Sequence, residues 1–216
     1  FSVIYFAPTS LRQQRNGCAC YIIGLCFGSS SRKCWVKRFK RSEGRRAAPG
    51  EIGCALSHIG VYRRIVNEDI PRALILEDDA WLNPNLPMIL EAMSDNVEPS
   101  EAQVFLLTWF VSLSRVPRIK LWSSYELGHV KKAYCSHGYV VTQSAARRLT
   151  DVLYPVKRVA DCWDWLIQHR IVEVLAICPT CVTADLRFES AIAPDVGDAK
   201  TSVLASLRYK LGRLFW

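Results

Sequence analysis

The chain has 216 residues, half of them hydrophobic and seven of them Trp, with a net charge of +8. Such a composition excludes an intrinsically disordered chain and suits one large domain or two small ones. The basic excess is local: residues 1–48 hold ten Lys/Arg and one acid, Glu43, and the remainder holds eighteen Lys/Arg against nineteen acids.

In chain order, Ser2–Ala7 (SVIYFA) reads as a short strand closed by Pro8. Residues 16–48 show no clean period; they hold Gly, Ser, four cysteines (Cys18, Cys20, Cys26, Cys34) and a basic run, KRFKRSEGRR. After a break at Pro49-Gly50, residues 51–67 place Ile52, Ala55, Leu56, Ile59, Tyr62, Ile65 and Val66 at helical spacing. Ala73–Leu76 predicts a strand buried on both faces. A turn at Asn83-Pro84-Asn85 leads to a helix over 86–93, a second buried strand over 104–110, and a loop over 112–128 around Pro117. A strand over 133–141, a helix over 144–153 capped by Thr142 or Ser144, a helix over 161–169 and a strand over 172–177 follow, then an irregular stretch over 183–200. Alternating strands and helices imply an α/β domain, with a mostly parallel sheet and helices on both faces.

Nine cysteines are present, and Cys178-Pro-Thr-Cys181 has one half of a zinc-ribbon spacing. The Cys18-Ala-Cys20 pair lacks the matching half, so reduced thiols of a cytoplasmic protein are expected. No apolar stretch reaches the roughly 18–20 residues of a membrane span. The chain begins with Phe, which leaves the true start open.

Three adjacent acids, Glu77-Asp78-Asp79, end the apolar run Ala73–Leu76. In an open α/β sheet, ligands bind beyond the carboxyl ends of strands. Adjacent carboxylates repel one another, and a hard divalent cation, Mn²⁺ or Mg²⁺, is the natural partner; a solvated acidic turn is the other reading.

The blocks GEIGCALSH (50–58) and ALILEDD (73–79) resemble glycosyltransferase family 25, the family of bacterial lipooligosaccharide galactosyltransferases and collagen-modifying enzymes. SHGYVVTQSAARRL (136–149), VADCWDWL (159–166), ICPTCV (177–182) and FESAI (188–192) continue the resemblance, which covers about residues 49–195. It implies a GT-A-like, Rossmann-type fold, a UDP-sugar donor, typically UDP-galactose, and a hexose transferred to a lipid-linked lipooligosaccharide or other surface glycan. On that pattern Asp79, with Asp78, would hold the metal, and Glu77, Asp78, Ser57 and His58 would serve the donor; a lone His at position 58 also suits a structural role. Inversion would need a base, and Asp161 or Asp164 in DCWDW, three apart and on one face if helical, is the candidate, with Asp161 preferred because it matches the family block. Trp163 or Trp165 would stack on a sugar ring of the acceptor, and Glu189 and Ser190 would approach the acceptor. An Asp161 helix cap and core tryptophans are the alternative.

Residues 1–48 fit that family less well, because Tyr5 stands where its first strand carries Asn. Residues 16–48 are either divergent or the product of a reading-frame disturbance, and a catalytically impaired member is a second functional reading. A third is nucleic-acid binding through residues 32–46. That segment has few aromatics (Trp35, Phe39) and no recognisable module, so no nucleic acid is expected. Residues 1–199 are read as the transferase domain, and 200–216 as a basic amphipathic helix with Val203, Leu204, Leu207, Leu211, Leu214 and Phe215 on one face. Such a helix suits peripheral contact with the inner face of a bacterial inner membrane.

Overall fold

The fold is that of a computed structural model, which describes residues 2–6, 20–23, 49–94, 98, 100–108, 111–115 and 118–184. The first two strands are β1 (Ser2–Phe6) and β2 (Cys20–Ile23), followed by helix α1 (Pro49–Asn67), β3 (Arg72–Leu76), β4 (Ala80–Leu82) and α2 (Leu86–Ser94). Next come β5 (Gln103–Leu106), β6 (Val111–Leu113), β7 (Ile119–Trp122), β8 (Tyr125–Ala133) and β9 (Gly138–Thr142). Helices α3 (Gln143–Leu153) and α4 (Trp163–Gln168) lead to β10 (Glu173–Cys178) and β11 (Val182–Ala184).

The main sheet runs β2-β1-β3-β9-β5-β10-β8-β6, with β7 also on β8, and β4 pairs with β11 in a separate ribbon. The mostly parallel sheet expected from the sequence is not what forms. Among the described residues, only β1/β2, β1/β3 and β5/β10 pair parallel. β9 runs antiparallel between β3 and β5, and β8 runs antiparallel to β10, β6 and β7. The cause lies in the connections. A parallel neighbour needs a long crossover, usually a helix, and residues 111–138 contain none among those described.

The same stretch holds two further corrections. The loop expected over 112–128 contains β6, β7 and the start of β8, short half-exposed strands whose pattern is too weak to read. The single strand expected over 133–141 is two strands, broken at Tyr134–His137 where Cys135 takes a left-handed φ of 69°. The β4/β11 ribbon escaped the sequence reading as well.

Other expectations hold. Residues 51–67 form α1, and Thr142 caps α3 by accepting from the Ala145 N–H. Strand β3 alternates within its buried run: Ala73 and Ile75 join α1, α3 and α4, whereas Leu74 and Leu76 join Leu86, Ile89 and Met93 of α2. The sheet is therefore covered on both faces, which is why β3 and β9 read as unbroken apolar runs. No described helix is long and apolar enough to cross a membrane. The expected amphipathic helix at 200–216 lies outside the described residues.

Candidate active site

Strand β3 carries the chain out of the core at Leu76, and the acids follow at once. The Glu77 N–H donates to the His137 carbonyl at 2.9 Å, extending the β3/β9 pairing by one step and setting the two side chains together. Ser136 Oγ donates to Glu77 Oε1 at 2.5 Å. His58 Nε2 approaches the same oxygen at 3.4 Å, from one turn beyond Cys54 on α1. His137 Nδ1 stands between Glu77 Oε2, at 3.6 Å, and Asp79 Oδ1, at 3.5 Å.

Behind His58 lies a buried line of hydroxyls. His58 Nδ1 is 2.6 Å from Tyr139 Oη, which is 2.8 Å from Tyr62 Oη. All three side chains are out of solvent. Burial pushes both phenols above their usual range, so both stay protonated and available as donors.

The charges follow from this packing. Burial by itself would raise the Glu77 carboxyl, but hydrogen bonding by His137, His58 and Ser136 holds it well below the usual carboxylate range. Burial would lower His137, yet the Asp79, Cys135 and Glu77 side chains push it up to about 12. Asp78 is exposed; its partial desolvation and its two acidic neighbours raise it. Asp79 Oδ1 and His137 Nδ1 are buried and face each other at 3.5 Å, an ion-pair distance without a hydrogen bond of ordinary geometry, so each is only loosely satisfied. Glu77, Asp79 and His137 each present a ligand atom within 4.8 Å of the others. Two carboxylates and an imidazole suit a divalent cation such as Mn²⁺, so the residues fit the expected metal.

Other predicted site residues sit differently. Asp161 lies just ahead of α4, not on it, so it shares no helix face with Asp164. Both carboxylates reach back to one segment: Asp161 Oδ2 accepts from the Cys135 N–H at 3.1 Å, and Asp164 Oδ1 from the Ala133 N–H at 3.0 Å. Asp161 still acts on the acidic cluster's surroundings, since it raises the Cys54 thiol together with Glu77 and Asp79, after burial itself. Trp163 does not face an acceptor. Its ring is fully buried, packs edge-on against Tyr139, and donates Nε1–H to the Cys135 carbonyl at 2.8 Å. Trp163 is thus core, but Asp161 caps no helix, since Cys162 is the N-cap of α4; both residues instead serve the break at Cys135, whose backbone N–H and carbonyl need partners. The Ser57 hydroxyl donates to the Gly53 carbonyl inside α1. Glu189 and Ser190 lie outside the described residues.

Sequence reasoning gave no role to Ser136, His137, Tyr139, Tyr62 or Cys54. The signal was the SHGY run beside a strand, since two polar groups ahead of a fully buried strand must meet partners at its mouth. Cys54, Cys135, Cys162, Cys178 and Cys181 are free thiols. A cleft of about 660 Å³ lined by Gln103, His129, Arg148 and Glu173 opens at the far ends of β5 and β10, away from the acids.

Comparison with known proteins fits this geometry. The model of glycosyltransferase family 25 (LPS biosynthesis protein) matches residues 30–163. The chain belongs to glycosyltransferase family 25. The family match reaches back to residue 30, into the stretch whose motifs fit the family less well. Among family 25 relatives, human procollagen galactosyltransferase 2 is 25% identical over 104 residues, 46% of this chain and 16% of that protein. The lipooligosaccharide biosynthesis protein lex-1 of Haemophilus influenzae is 27% identical over 141 residues, 61% of this chain and 46% of its own length. A human relative named inactive glycosyltransferase 25 family member 3 is 36% identical over 55 residues, 26% of this chain and 9% of that protein. The chain thus spans less than half the length of these family 25 relatives.

Proposed function

We propose that this family 25 chain is a glycosyltransferase that moves a hexose, galactose by the names of its procollagen galactosyltransferase relatives, from a UDP-sugar to a glycan acceptor. The observation that carries the reading is the Glu77–Asp79–His137 cluster at the carboxyl end of β3, whose buried Asp79 and His137 atoms meet at ion-pair distance without a regular hydrogen bond. Asp79 and His137 would hold a Mn²⁺ or Mg²⁺ ion, and Asp78, exposed beside them, would complete its shell through water or the donor. When bound, the ion supplies Lewis-acid stabilisation of the departing diphosphate.

The chain's own residues do the rest. Ser136 and His58 fix the Glu77 carboxylate, and Glu77 in turn orients His137 against Asp79. Inversion needs a base at the acceptor hydroxyl, and Asp161 is the choice because it matches the family's Ala-Asp-x-Trp segment, whereas Asp164 does not. Asp164 positions the end of β8. The fold would be of GT-A type, with β9 as the antiparallel strand that brings His137 to the donor. A lipooligosaccharide or similar surface glycan is the acceptor favoured by the likeness to lex-1, and residues 200–216 would hold the enzyme at a membrane surface.

Calorimetric titration of UDP-galactose into the wild type and Asp79→Ala, with and without Mn²⁺, tests this. Metal-dependent binding lost in Asp79→Ala is expected. No binding of UDP-galactose, UDP-glucose or UDP-N-acetylhexosamines by a folded wild type would favour a catalytically impaired member, a reading that the inactive human relative keeps in view. A second reading of the same cluster comes from His137, whose imidazolium already lies between two carboxylates and could meet the diphosphate itself. Donor binding that survives a chelator would favour it.

A further inference from the structure

The geometry points to a second cation site, made by Cys54, His58 and Glu77 and selective for a thiophilic divalent ion of the zinc class. Cys54 and His58 stand one turn apart on α1, and Glu77 meets them from the end of β3. A sulfur, a ring nitrogen and a carboxylate oxygen of the three lie within 4.8 Å of one another. Around a tetrahedral ion with bonds of about 2.0–2.3 Å, ligand atoms stand roughly 3.5 Å apart, so only a small closure is needed. The donor set differs from that at Asp79. Thiolate and imidazole favour zinc-class ions, whereas carboxylates and water favour Mg²⁺ and Mn²⁺. Three protein ligands also leave a fourth position open.

The tyrosine pair behind His58 supports the assignment independently. A ligating imidazole offers one bare nitrogen to the ion and donates its other N–H to an outer partner. Tyr139 Oη lies 2.6 Å from His58 Nδ1 and can accept that N–H while donating its own hydrogen to Tyr62 Oη, 2.8 Å away. With no ion the line runs the other way: Tyr139 donates to Nδ1, and Nε2–H faces Glu77. Because hydroxyls both donate and accept, His58 is satisfied in either state. On binding, the Cys54 S–H bond breaks and its proton goes to solvent. The sulfur lone pair forms the bond to the ion, the imidazole proton moves from Nε2 to Nδ1, and nothing is oxidised or reduced.

Glu77 belongs to both sites, so a zinc-class ion would draw it away from Asp79 and His137 and inhibit transfer. That consequence rests on the proposed function; the site itself does not. Titrating Co²⁺ into the full chain reads the site directly, through the thiolate-to-cobalt charge-transfer absorption in the near ultraviolet. One equivalent with that band is expected in the wild type. It should vanish in Cys54→Ser, persist in Asp79→Ala, and require about 10–100-fold more Co²⁺ in Tyr139→Phe, the usual effect of losing an outer-shell partner. A band that survives Asp79→Ala separates this site from the donor site even where no transfer is detected. No band in the wild type, or an undiminished one in Cys54→Ser, overturns the proposal, the latter by placing the ion on other cysteines. If Cys54→Ser does not fold, as judged by its thermal melt, Glu77→Gln read in the same way decides: a retained band at unchanged affinity overturns it.

Discussion

Gly138 opens β9 next to His137, and the structure leaves no room for a side chain there. A Cβ at this position would stand 2.8 Å from Val182 Cγ1 and 3.1 Å from both Val182 Cβ and Cγ2. Contacts under 3.0 Å do not persist, so Gly138→Ala must push β9 and β11 apart. Val182 is fully buried and its N–H is bonded to the Leu107 carbonyl, so it cannot turn aside freely. Overpacking of this kind costs about 1–3 kcal/mol. Val182→Ala removes the two clashing γ-carbons and by itself costs about 2 kcal/mol in lost burial and cavity. In the double variant each change relieves the other, so the two losses should sum to less than their separate values by at least about 1 kcal/mol. Urea denaturation of the four proteins measures the coupling. Because the Gly138 carbonyl accepts from the Leu107 N–H and His137 precedes it, donor affinity should fall in Gly138→Ala and recover in the double variant. Losses that add to within about 0.5 kcal/mol would refute the steric argument.

The two aspartates separate by isosteric exchange. Asp164→Asn keeps an oxygen for the Ala133 N–H and should leave stability and turnover near wild type, whereas Asp164→Ala strands a buried donor and should cost about 1–3 kcal/mol in urea melts. Asp161→Asn should likewise fold but lose transfer at least about 100-fold if Asp161 is the base, and retained turnover would reduce it to a support for Cys135. Trp163→Ala should destabilise by about 3–5 kcal/mol, and Trp163→Phe, assayed at a temperature where it is folded, should leave the acceptor KM unchanged, because the ring is core. Burial holds the Cys181 thiol up at about 12. It is neutral in the fold, so its contribution is complete below the ordinary thiol range and drains away as pH rises from there toward 12. Cys54 and Cys162 are held up in the same way, so stability falls between pH 8 and pH 10 by their joint share. The part due to Cys181, about 1–2 kcal/mol, should appear in urea melts as the amount by which Cys181→Ala reduces that fall.

The parts of this molecule that were legible in the sequence are those whose signal is local. Helix α1 announces itself by seven apolar positions at helical spacing, and β3 by an apolar run that stops on charge. Helix α3 is marked by Thr142, whose hydroxyl can serve a helix start only where it stands. What stayed hidden depends on partners distant in the chain. β6 and β7 are three and four residues long, lie partly in solvent, and exist because β8 offers them an edge. The parallel expectation failed through β9, because neither β3 nor β5 records in its own residues which direction its neighbour runs.

The site was half legible for the same reason. Three acids after a buried strand predict that something cationic must meet them, but not what. The structure answers with histidines from two other elements, His58 from α1 and His137 ahead of β9, and each arrives through backbone geometry that a pattern search does not see. His137 is placed because Cys135 adopts a left-handed turn, and that turn is held from both sides: its N–H by Asp161, its carbonyl by Trp163. A non-glycine residue in this conformation costs of order 1 kcal/mol and persists only where its surroundings over-determine it. In the DCWDW segment Asp161 and Trp163 clamp Cys135 and so hold the SHGY turn against the acids, while Asp164 binds the Ala133 N–H at the end of β8. Asp161 both holds that turn and is the proposed base, which is why its replacement by Asn, rather than Ala, is the informative change.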